Sequence, residues 1–378
     1  LLLLTPLAAF ASELDLETYI ERAIESTKSA RNISTTDTLL GNEDYMAGAS
    51  GTSTDWMALA MGRFGYFDNG TYRHMYDDGD GYGKYLEAMK TYVETTYEEN
   101  GGFLHKRKAT EWHRAVVTIA ALGGDPENFG TYNGEPINLI ADGSYNCVIN
   151  NGNVGWQGIN GWAWGLLAMD TCFCEVPPDA IHTREDFIVE LLKLQLSGDD
   201  TYGGWNLFSS GNADNTDPDI TGMVIQALAP YYNNDTVYTY TNSINKKEVS
   251  KTVRQCVDEA LEALSAKLND EAGFASWGTD DNVESCAQVV VALTSLGIDP
   301  TEDSRFITDD GKTLLDGMMR FWVAEGGFSH VLNGDWNSMA NDQATYALVS
   351  CWRLKNGKRA LYDMREDWTA EEKAAIAS

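Results

Sequence analysis

A pair consisting of glycine and an aromatic residue recurs along this chain and constrains its fold more than any other feature. The aromatic members are Phe103, Trp156, Trp205, Phe274 and Phe328. Successive pairs are 53, 49, 69 and 54 residues apart, and the longest interval holds a polar stretch, residues 231–247, that predicts an inserted loop. A recurrence of this kind is typical of folds that stack one supersecondary unit several times. We therefore expect one large repeat domain within the 378 residues.

Small and apolar residues follow each pair and predict a set of buried helices. With one earlier copy, these segments cover residues 54–64, 110–122, 159–169, 217–229, 284–296 and 339–350. Because they are apolar nearly all round, they should lie inside the molecule. Two of them end alike, with Gly followed by Asp125 and Pro126 in one and by Asp299 and Pro300 in the other. Such turns stop a helix.

Amphipathic segments with charged faces alternate with the buried ones. They cover residues 14–29, 82–98, 184–195, 249–268 and 313–324, with a weaker sixth near 136–149. Six buried and six amphipathic helices form six hairpins, either as an open superhelix or as a closed barrel. An open solenoid needs polar end caps, but the first and last buried segments are as apolar as the others. We predict an all-α fold, an α/α toroid (an α6/α6 barrel) of six helical hairpins.

The repeat resembles that of prenyltransferases and squalene cyclases. Residues 191–195, Leu-Leu-Lys-Leu-Gln, precede the Gly-Gly-Trp at 203–205 as in the Leu-Leu-x-x-Gln…Gly-x-Trp run of that family, and acidic residues begin the inner segments. The stretch 339–348 is similar to the last repeat of exported bacterial members. The resemblance covers nearly the whole chain and implies the toroid also used by the α-domain of cobalamin carriers. It implies a fold that hosts enzymes and binding proteins alike.

The two ends carry separate predictions. Residues 1–11 are apolar and end in Ala-Phe-Ala, which predicts a partial signal peptide, although a buried strand is the alternative. Residues 12–364 form the predicted toroid, and residues 365–378 read as a charged tail or linker. We therefore expect a secreted or cell-surface protein. Its oligomeric state is unknown from the sequence.

The amino-acid composition limits the classes of partner that this chain is expected to bind. Acidic residues outnumber basic ones 57 to 27, for a formal charge of -30, which disfavours nucleic acid. No apolar run reaches the roughly 18 residues of a membrane span. The six cysteines lack zinc-site spacing, and buried free thiols are the favoured interpretation. A small molecule or a carbohydrate is the expected ligand.

An acidic segment, residues 214–221, suggests chemistry. It resembles the Asp-x-Asp-Asp motif of class II terpenoid cyclases, and the resemblance implies Asp219 as the proton donor with Asp217 in support. Clustered, desolvated carboxyls can stay protonated near neutral pH. However, Ile220 stands where the third Asp would be. The alternative is structural, with Asp217 as N-cap and Asp219 complementing the helix dipole.

Other acids and tryptophans fall at or near the starts of the inner segments, so they should gather at one end of the barrel. The candidate ligand-binding residues are Asp55, Trp56, Glu111, Trp112, Trp162, Trp164, Glu284 and Asp342. Indole faces could stack on a sugar ring, a flat cofactor or an isoprenoid. Helix-terminus charge and packing between hairpins are the alternatives.

No resident metal or cofactor is predicted. The chain lacks the zinc ligands of protein prenyltransferases and the Gly-Cys-Gly-Glu-Gln run of thioester domains. Calcium is a minor alternative at Asp78, Asp80 and Glu87, which fall at positions 3, 5 and 12 of an EF-hand-like loop. An acidic turn before a helix explains the same residues.

The predicted function is ligand binding in the central cavity or acidic mouth of the barrel, without catalysis. Two enzymatic alternatives stay open. The first is a terpenoid-cyclase-like enzyme with Asp219 as general acid, and the second is a carbohydrate-active α/α barrel with paired carboxylates. A corrinoid is conceivable as ligand by resemblance to cobalamin carriers, which complete their site with a β-rich domain that is missing here.

Overall fold

The computed structural model describes residues 14–68, 71–276 and 280–364. Its α-helices are α1 (Leu16–Ala30), α2 (Glu43–Met46), α3 (Asp55–Arg63), α4 (Gly81–Asn100), α5 (Thr110–Ala121), α6 (Asn160–Thr171), α7 (Arg184–Lys193), α8 (Pro218–Leu228), α9 (Val253–Ser265), α10 (Val283–Ser295), α11 (Leu314–Met319) and α12 (Ser338–Lys355). The predicted signal segment, residues 1–11, and the predicted tail, residues 365–378, lie outside the described residues.

Six helices form a closed inner ring. Helix α3 packs against α5, α5 against α6, α6 against α8, α8 against α10 and α10 against α12, and α12 returns to α3. A second layer surrounds this ring, in which α4 packs on α5, α7 on α6, α9 on α8, α11 on α10 and α1 on α12. A π-helical turn, Ala141–Tyr145, fills the remaining outer place beside α5 and α6. The α/α toroid of six hairpins is confirmed.

The inner helices all run in the same direction. Asp55, the first residue of α3, bonds to Arg114 in the second turn of α5, and Gly62 near the end of α3 lies against Ala121 at the end of α5. We call the end of the barrel formed by the first turns of the inner helices the mouth, and the opposite end the base. At the base, the Arg63 guanidinium donates to the carbonyls of Leu361 and Ala360, at 2.8 and 3.1 Å.

Three of the five glycine–aromatic pairs pack between the layers. The side chains of Trp205, Phe274 and Phe328 are fully buried. The Trp205 backbone N–H donates to Thr221 Oγ1 of α8 at 2.9 Å, while its indole Nε1 donates to the Leu191 carbonyl of α7. A Cβ on Gly204 would lie 2.3 Å from Thr221 Oγ1. Glycine therefore precedes the aromatic residue because the backbone touches the inner helix there.

Short strands accompany the helices. They are β1 (Gly65–Asp68), β2 (Thr71–His74), β3 (Thr131–Tyr132), β4 (Glu135–Pro136), β5 (Val237–Thr241) and β6 (Glu248–Thr252), paired as three antiparallel hairpins. The predicted loop 231–247 thus contains a strand, and β6 takes the first residues assigned by prediction to the helix at 249–268. Aromatic and β-branched residues dominate β5, which favours an extended chain.

Two predicted outer helices are shorter or different in the structure. Helix α11 ends at Met319 instead of residue 324, because the chain turns back and Trp322 pairs with Phe328 across the Gly-Gly turn. The weak segment 136–149 contains a π-helical turn in place of an α-helix. The capping box of α7 is confirmed, with Thr183 and Asp186 bonding reciprocally.

The cysteines and the helix lengths complete the picture. All six cysteines are buried and none forms a disulfide, in agreement with the prediction of buried thiols. Among the described residues, every helix falls short of the combined length and apolarity that a membrane-spanning helix requires.

Candidate functional site: the mouth of the barrel

On the α3–α5 side of the mouth, carboxylates and a guanidinium form a closed network. Arg114 Nε donates to Asp55 Oδ2 at 3.0 Å, and its Nη2 contacts Glu111 Oε2 at 2.6 Å. Asp55 Oδ1 also accepts from the Ser50 backbone N–H and the Tyr85 hydroxyl, at 2.9 and 2.7 Å. Burial raises the pKa of Asp55 to about 6, against the opposing effect of the Arg114 guanidinium. The candidate residues Asp55 and Glu111 are therefore bonded to the protein itself.

Two of the candidate tryptophans pack away from the barrel axis. Trp112 is fully buried, and its indole Nε1 donates to the Tyr97 hydroxyl of α4 at 2.7 Å. Trp162 meets His182 and Phe187 edge to face, with ring centroids 5.6 and 5.1 Å away. Both indoles join an inner helix to an outer element.

Asp342 lies in a third environment. Its side chain is buried, and its Oδ2 has no hydrogen-bond partner. Burial holds its pKa well above the usual range, with the Arg31 guanidinium opposing, and its charge in turn raises the pKa of the Tyr45 phenol. Asp342 therefore lies near two side chains from outside the inner ring. These are Arg31, the C-cap residue of α1, and Tyr45 of α2.

On the α8–α10 side, the acids lack an arginine or lysine partner. Asp217 caps α8, with Oδ1 accepting from the Ile220 N–H at 3.0 Å and Oδ2 accepting from the Ser276 hydroxyl. Asp219 is partly buried, and its Oδ1 has no hydrogen-bond partner. Burial, together with the Asp217 and Glu284 carboxylates, raises the pKa of Asp219 to about 7, although the neighbouring Ser285 hydroxyl opposes this.

Glu284 stands beside Asp219 at the start of α10. Its Oε2 is 2.8 Å from Nδ1 of His330, an exposed imidazole, while its buried Oε1 has no partner. Burial raises the pKa of Glu284, and the His330 hydrogen bond opposes that shift. The two neighbouring acids therefore differ, since only one of them has a basic side chain bonded to it.

An aromatic cluster lines the axis next to these acids. The ring centroid of Trp56 is 5.3 Å from that of Trp164 and 6.1 Å from that of Tyr346, with tilted planes. Trp56 is partly exposed, while Trp164 and Tyr346 are buried. The charges of Asp219 and Glu284 contribute to the raised pKa of Tyr346, which places the cluster close to the acids.

Amide side chains connect the cluster to the neighbouring helices. Gln288 of α10 donates from Nε2 to the Tyr346 hydroxyl at 2.5 Å and to Gln343 Oε1 at 2.8 Å. Gln226 of α8 donates to Gln288 Oε1 at 2.9 Å. The interior of the barrel is therefore crossed by a hydrogen-bonded polar chain from α8 to α12.

Sequence reasoning predicted Trp56, Trp164, Asp219 and Glu284 as candidates. The structure brings Trp56 and Trp164 together in one cluster and Asp219 and Glu284 together beside it, with Tyr346 as the link. Sequence reasoning missed Tyr346, Gln288, Gln343 and His330. The sequence held a signal for the glutamines, because Gln226 and Gln288 interrupt helices that are otherwise apolar all round and have no capping role. Nothing local marks His330, which comes from the loop before α12.

A groove of about 420 Å³ opens outside Asp217 on the rim of the mouth. Asp214, Asp217 and Lys267 line it together with Phe208, whose side chain is 69% exposed. The groove therefore offers charged groups and an accessible aromatic ring next to the start of α8.

The residues of the suggested calcium loop have other partners. Asp78 is buried, and its two oxygens accept from the backbone N–H groups of Leu39 and Leu40 at 2.7 and 2.9 Å. Asp80 pairs with Lys84, one turn along α4. Within the described ranges, no group of three or more His, Cys, Asp or Glu side chains is arranged to hold a metal ion.

Comparison with known proteins adds similarity in structure alone. No protein-family model matches the chain, and no curated protein matches its sequence. A solved polysaccharide lyase is similar at 9% identity and a TM-score of 0.43, covering 90% of this chain and 97% of its own. Candida albicans protein geranylgeranyltransferase-I, solved with GGPP, is similar at 8% identity and a TM-score of 0.47, covering 95% of this chain and 98% of its own.

Proposed function

We propose that this protein binds a carbohydrate in the mouth of the barrel, over Trp56 and Trp164, without catalysing a reaction. The observation that carries the proposal is that two acids with unpartnered oxygens lie near an aromatic cluster, since their charges act on Tyr346. Asp219 Oδ1 and Glu284 Oε1 are both buried atoms without a hydrogen-bond partner. Buried polar atoms are nearly always hydrogen-bonded, and a ligand hydroxyl would supply the missing bonds.

The chemistry of the lining suits a sugar. Ligand sites combine aromatic surface with a few convergent polar groups. The indole of Trp56 offers a partly exposed face to the C–H surface of a sugar ring. Asp219, with a pKa of about 7, can both donate and accept hydrogen bonds near neutral pH, and Gln343 adds an amide.

Access also supports an extended, polar ligand. The groove beside Asp217, two residues before Asp219, carries the exposed ring of Phe208. An oligosaccharide could continue from the mouth into this groove. A polar, open approach of this kind is less suited to an isoprenoid.

The second candidate is a carbohydrate-active enzyme with Asp219 as general acid. The observation in its favour is the difference between two neighbouring carboxyls. Burial raises the pKa of Asp219 to about 7, while Glu284 bonds to the His330 imidazole. Environments that make two acids unlike each other are typical of acid and base pairs in glycoside cleavage.

The cyclase-like alternative has less support. Such chemistry needs a dry cavity around the acid, because water intercepts reactive intermediates. Asp219 has the Ser285 hydroxyl and the Gln288 amide chain close by, and Ile220 lacks a carboxyl. We also propose that the protein is exported and belongs to the exported repeat proteins that its sequence resembles. The proposal includes no resident cofactor.

The experiment is a titration of the full chain with cello-, xylo- and chito-oligosaccharides, followed by tryptophan fluorescence. We expect a saturable change with one of these classes. Replacing Trp56 with Ala should weaken binding at least tenfold, which is about 1.4 kcal/mol. In the same assay, Asp219→Asn should retain most of the affinity.

The matched control is Trp156→Ala, because Trp156 is 49% exposed but lies beside Arg107, outside the aromatic cluster. Equal loss in the two tryptophan variants, or no saturable signal in the unmodified protein, would refute binding at the mouth. Hydrolysis or elimination products that disappear in Asp219→Asn would replace the binding function with the enzymatic one.

A further inference from the structure

A second cavity lies at the base of the barrel, away from the acids of the mouth. Its volume is about 170 Å³, and it is walled by the ends of α6, α8 and α10 and by the segment 360–363. A buried water needs only about 10–15 Å³ by the same kind of measure. The cavity therefore has room for a molecule of several non-hydrogen atoms.

Three side chains that line this cavity carry a polar atom without a partner. They are Thr171 Oγ1, Gln226 Oε1 and the Tyr362 hydroxyl. The three side chains are 0, 4 and 7% exposed, and they come from three separate elements. Unpartnered buried atoms are uncommon in a native fold, so three around one cavity point to an occupant that hydrogen-bonds to all of them.

The chemistry of these atoms specifies the occupant. The Gln226 amide nitrogen already donates to Gln288, so its carbonyl oxygen is the atom that still needs a donor. The hydroxyls of Thr171 and Tyr362 can each donate and accept. Burial raises the pKa of Tyr362, which keeps this phenol protonated. A molecule with several hydroxyl groups satisfies all three atoms.

Charge and the remaining wall exclude an ionic occupant. The Asp170 carboxylate at the cavity edge is 2.7 Å from Arg184 Nε and accepts from the Tyr231 hydroxyl at 2.7 Å. Asp363, the other carboxylate of the lining, is 2.9 Å from Arg359 Nη1. The charges of both carboxylates are therefore balanced within the protein. Leu167, Phe173 and Pro230 supply apolar wall beside the polar atoms. A neutral molecule with both C–H and O–H surface fits such a lining.

We propose that the base cavity is a binding site for a small neutral polyol, held by Thr171, Gln226 and Tyr362. A buried contact links this site to the mouth, since the Tyr362 ring meets Trp164 edge to face at a centroid distance of 5.7 Å. It does not depend on the function proposed for the mouth. A polyol at the base would also hold the segment 360–363 against the inner ring, because Tyr362 belongs to that segment.

The test uses saturation-transfer difference NMR on the full chain, with glycerol, erythritol and xylitol as probes. We expect a saturable signal from at least one polyol. Thr171→Val and Tyr362→Phe each remove one unpartnered oxygen with little change of shape, so both should fold and should lower the signal at least fivefold.

Two controls separate this site from other surfaces. Tyr132→Phe alters a hairpin tyrosine that packs on Tyr97 of α4 and does not line the cavity, and Trp56→Ala alters the mouth, so both should retain the full polyol signal. The proposal is overturned by any of three results: no saturable signal in the unmodified chain, an undiminished signal in Thr171→Val and Tyr362→Phe, or loss of the signal in Trp56→Ala. Failure of the oligosaccharide titration would leave this test unaffected.

Discussion

On the α3–α5 side of the mouth, the carboxylates of Asp55 and Glu111 share the guanidinium of Arg114. On the α8–α10 side, Asp219 and Glu284 have no arginine or lysine within bonding distance among the described residues, and each keeps an oxygen without a partner. All four acids occur within the first two residues of an inner helix. An acid at the start of an inner helix is therefore bonded within the protein where an arginine reaches it. Where none does, the acid keeps an oxygen that a ligand can bind.

The largest expected effect comes from removing the shared cation. Arg114→Met would remove the cation that opposes the rise in the pKa of Asp55, so this buried carboxyl would either take up a proton or stay ionised without a partner. Breaking a buried ion pair in this way costs about 3–5 kcal/mol. Urea unfolding at pH 7 measures this free energy. A loss below about 1 kcal/mol would mean that the α3–α5 network contributes little to stability and that the two sides of the mouth are alike.

The next prediction contrasts the two buried aspartates directly. Asp55→Asn removes the acceptor of Arg114 Nε and should lower the free energy of unfolding by about 2–3 kcal/mol. Asp219→Asn replaces a carboxyl whose ionisation is disfavoured by burial, so the free energy of unfolding at pH 7 should stay the same or rise. Both variants are measured by urea unfolding. A larger loss of stability in Asp219→Asn than in Asp55→Asn would contradict this difference between the two sides of the mouth.

The pH dependence of stability should differ between the same variants. Burial raises the pKa of Asp219 from 3.8 to about 7 and that of Asp55 from 3.8 to about 6. In each case the folded state holds more protons than the unfolded state above pH 4, so stability falls as the pH rises towards the folded pKa. Between pH 6 and 7, the fall in stability due to Asp219 is larger than the fall due to Asp55, because Asp55 has already lost much of its proton at pH 6.

We therefore expect Asp219→Asn to flatten the fall in stability between pH 6 and 7 by up to about 1 kcal/mol, since one proton accounts for 1.4 kcal/mol per pH unit. Asp55→Asn should leave that interval nearly unchanged. Thermal unfolding in buffers of matched ionic strength makes the measurement. Identical slopes for Asp219→Asn and the unmodified protein would contradict the assignment.

The smallest effect should come from Glu111→Gln. The Glu111 side chain is 25% exposed, and Arg114 would retain its contact with Asp55. Partly exposed ion pairs contribute about 0–1 kcal/mol, so urea unfolding should show a change below about 1 kcal/mol. A larger loss would show that Arg114 depends on both carboxylates for its position.

The architecture was largely predictable because its signals are local. Apolar runs, the Gly–aromatic pairs and the Asp-Pro turns each act within a few residues, and they place all six inner helices. Gly123 and Gly297, the stop signals of α5 and α10, adopt φ of +84° and +77° just past the helix ends. The insert around β5 and β6 was harder, since a polar stretch rich in Tyr and Thr can be a loop or a hairpin.

The site was less predictable because its bonds join distant parts of the chain. Arg114 and Asp55 are 59 residues apart, and Gln288 and Tyr346 are 58 apart. Acids at helix starts look alike in the sequence, whether they bond to Arg114 or have an unpartnered oxygen. The same holds for the tryptophans, where only packing separates Trp56 and Trp164 from Trp112 and Trp162.

Ring closure has a consequence for how this chain folds. The first outer helix, α1, packs on the last inner helix, α12, and closes the ring. Trp352 Nε1 donates to Glu17 across 335 residues, and Trp336 Nε1 donates to Ser26 across 310. An open repeat array can nucleate anywhere and fray from its ends. Here the last interface forms only when a loop of more than 300 residues closes, which has an entropic cost. Contacts so distant in sequence slow folding. We therefore expect a slow final step that joins α1 to α12, before which five hairpins form an arc without a completed mouth.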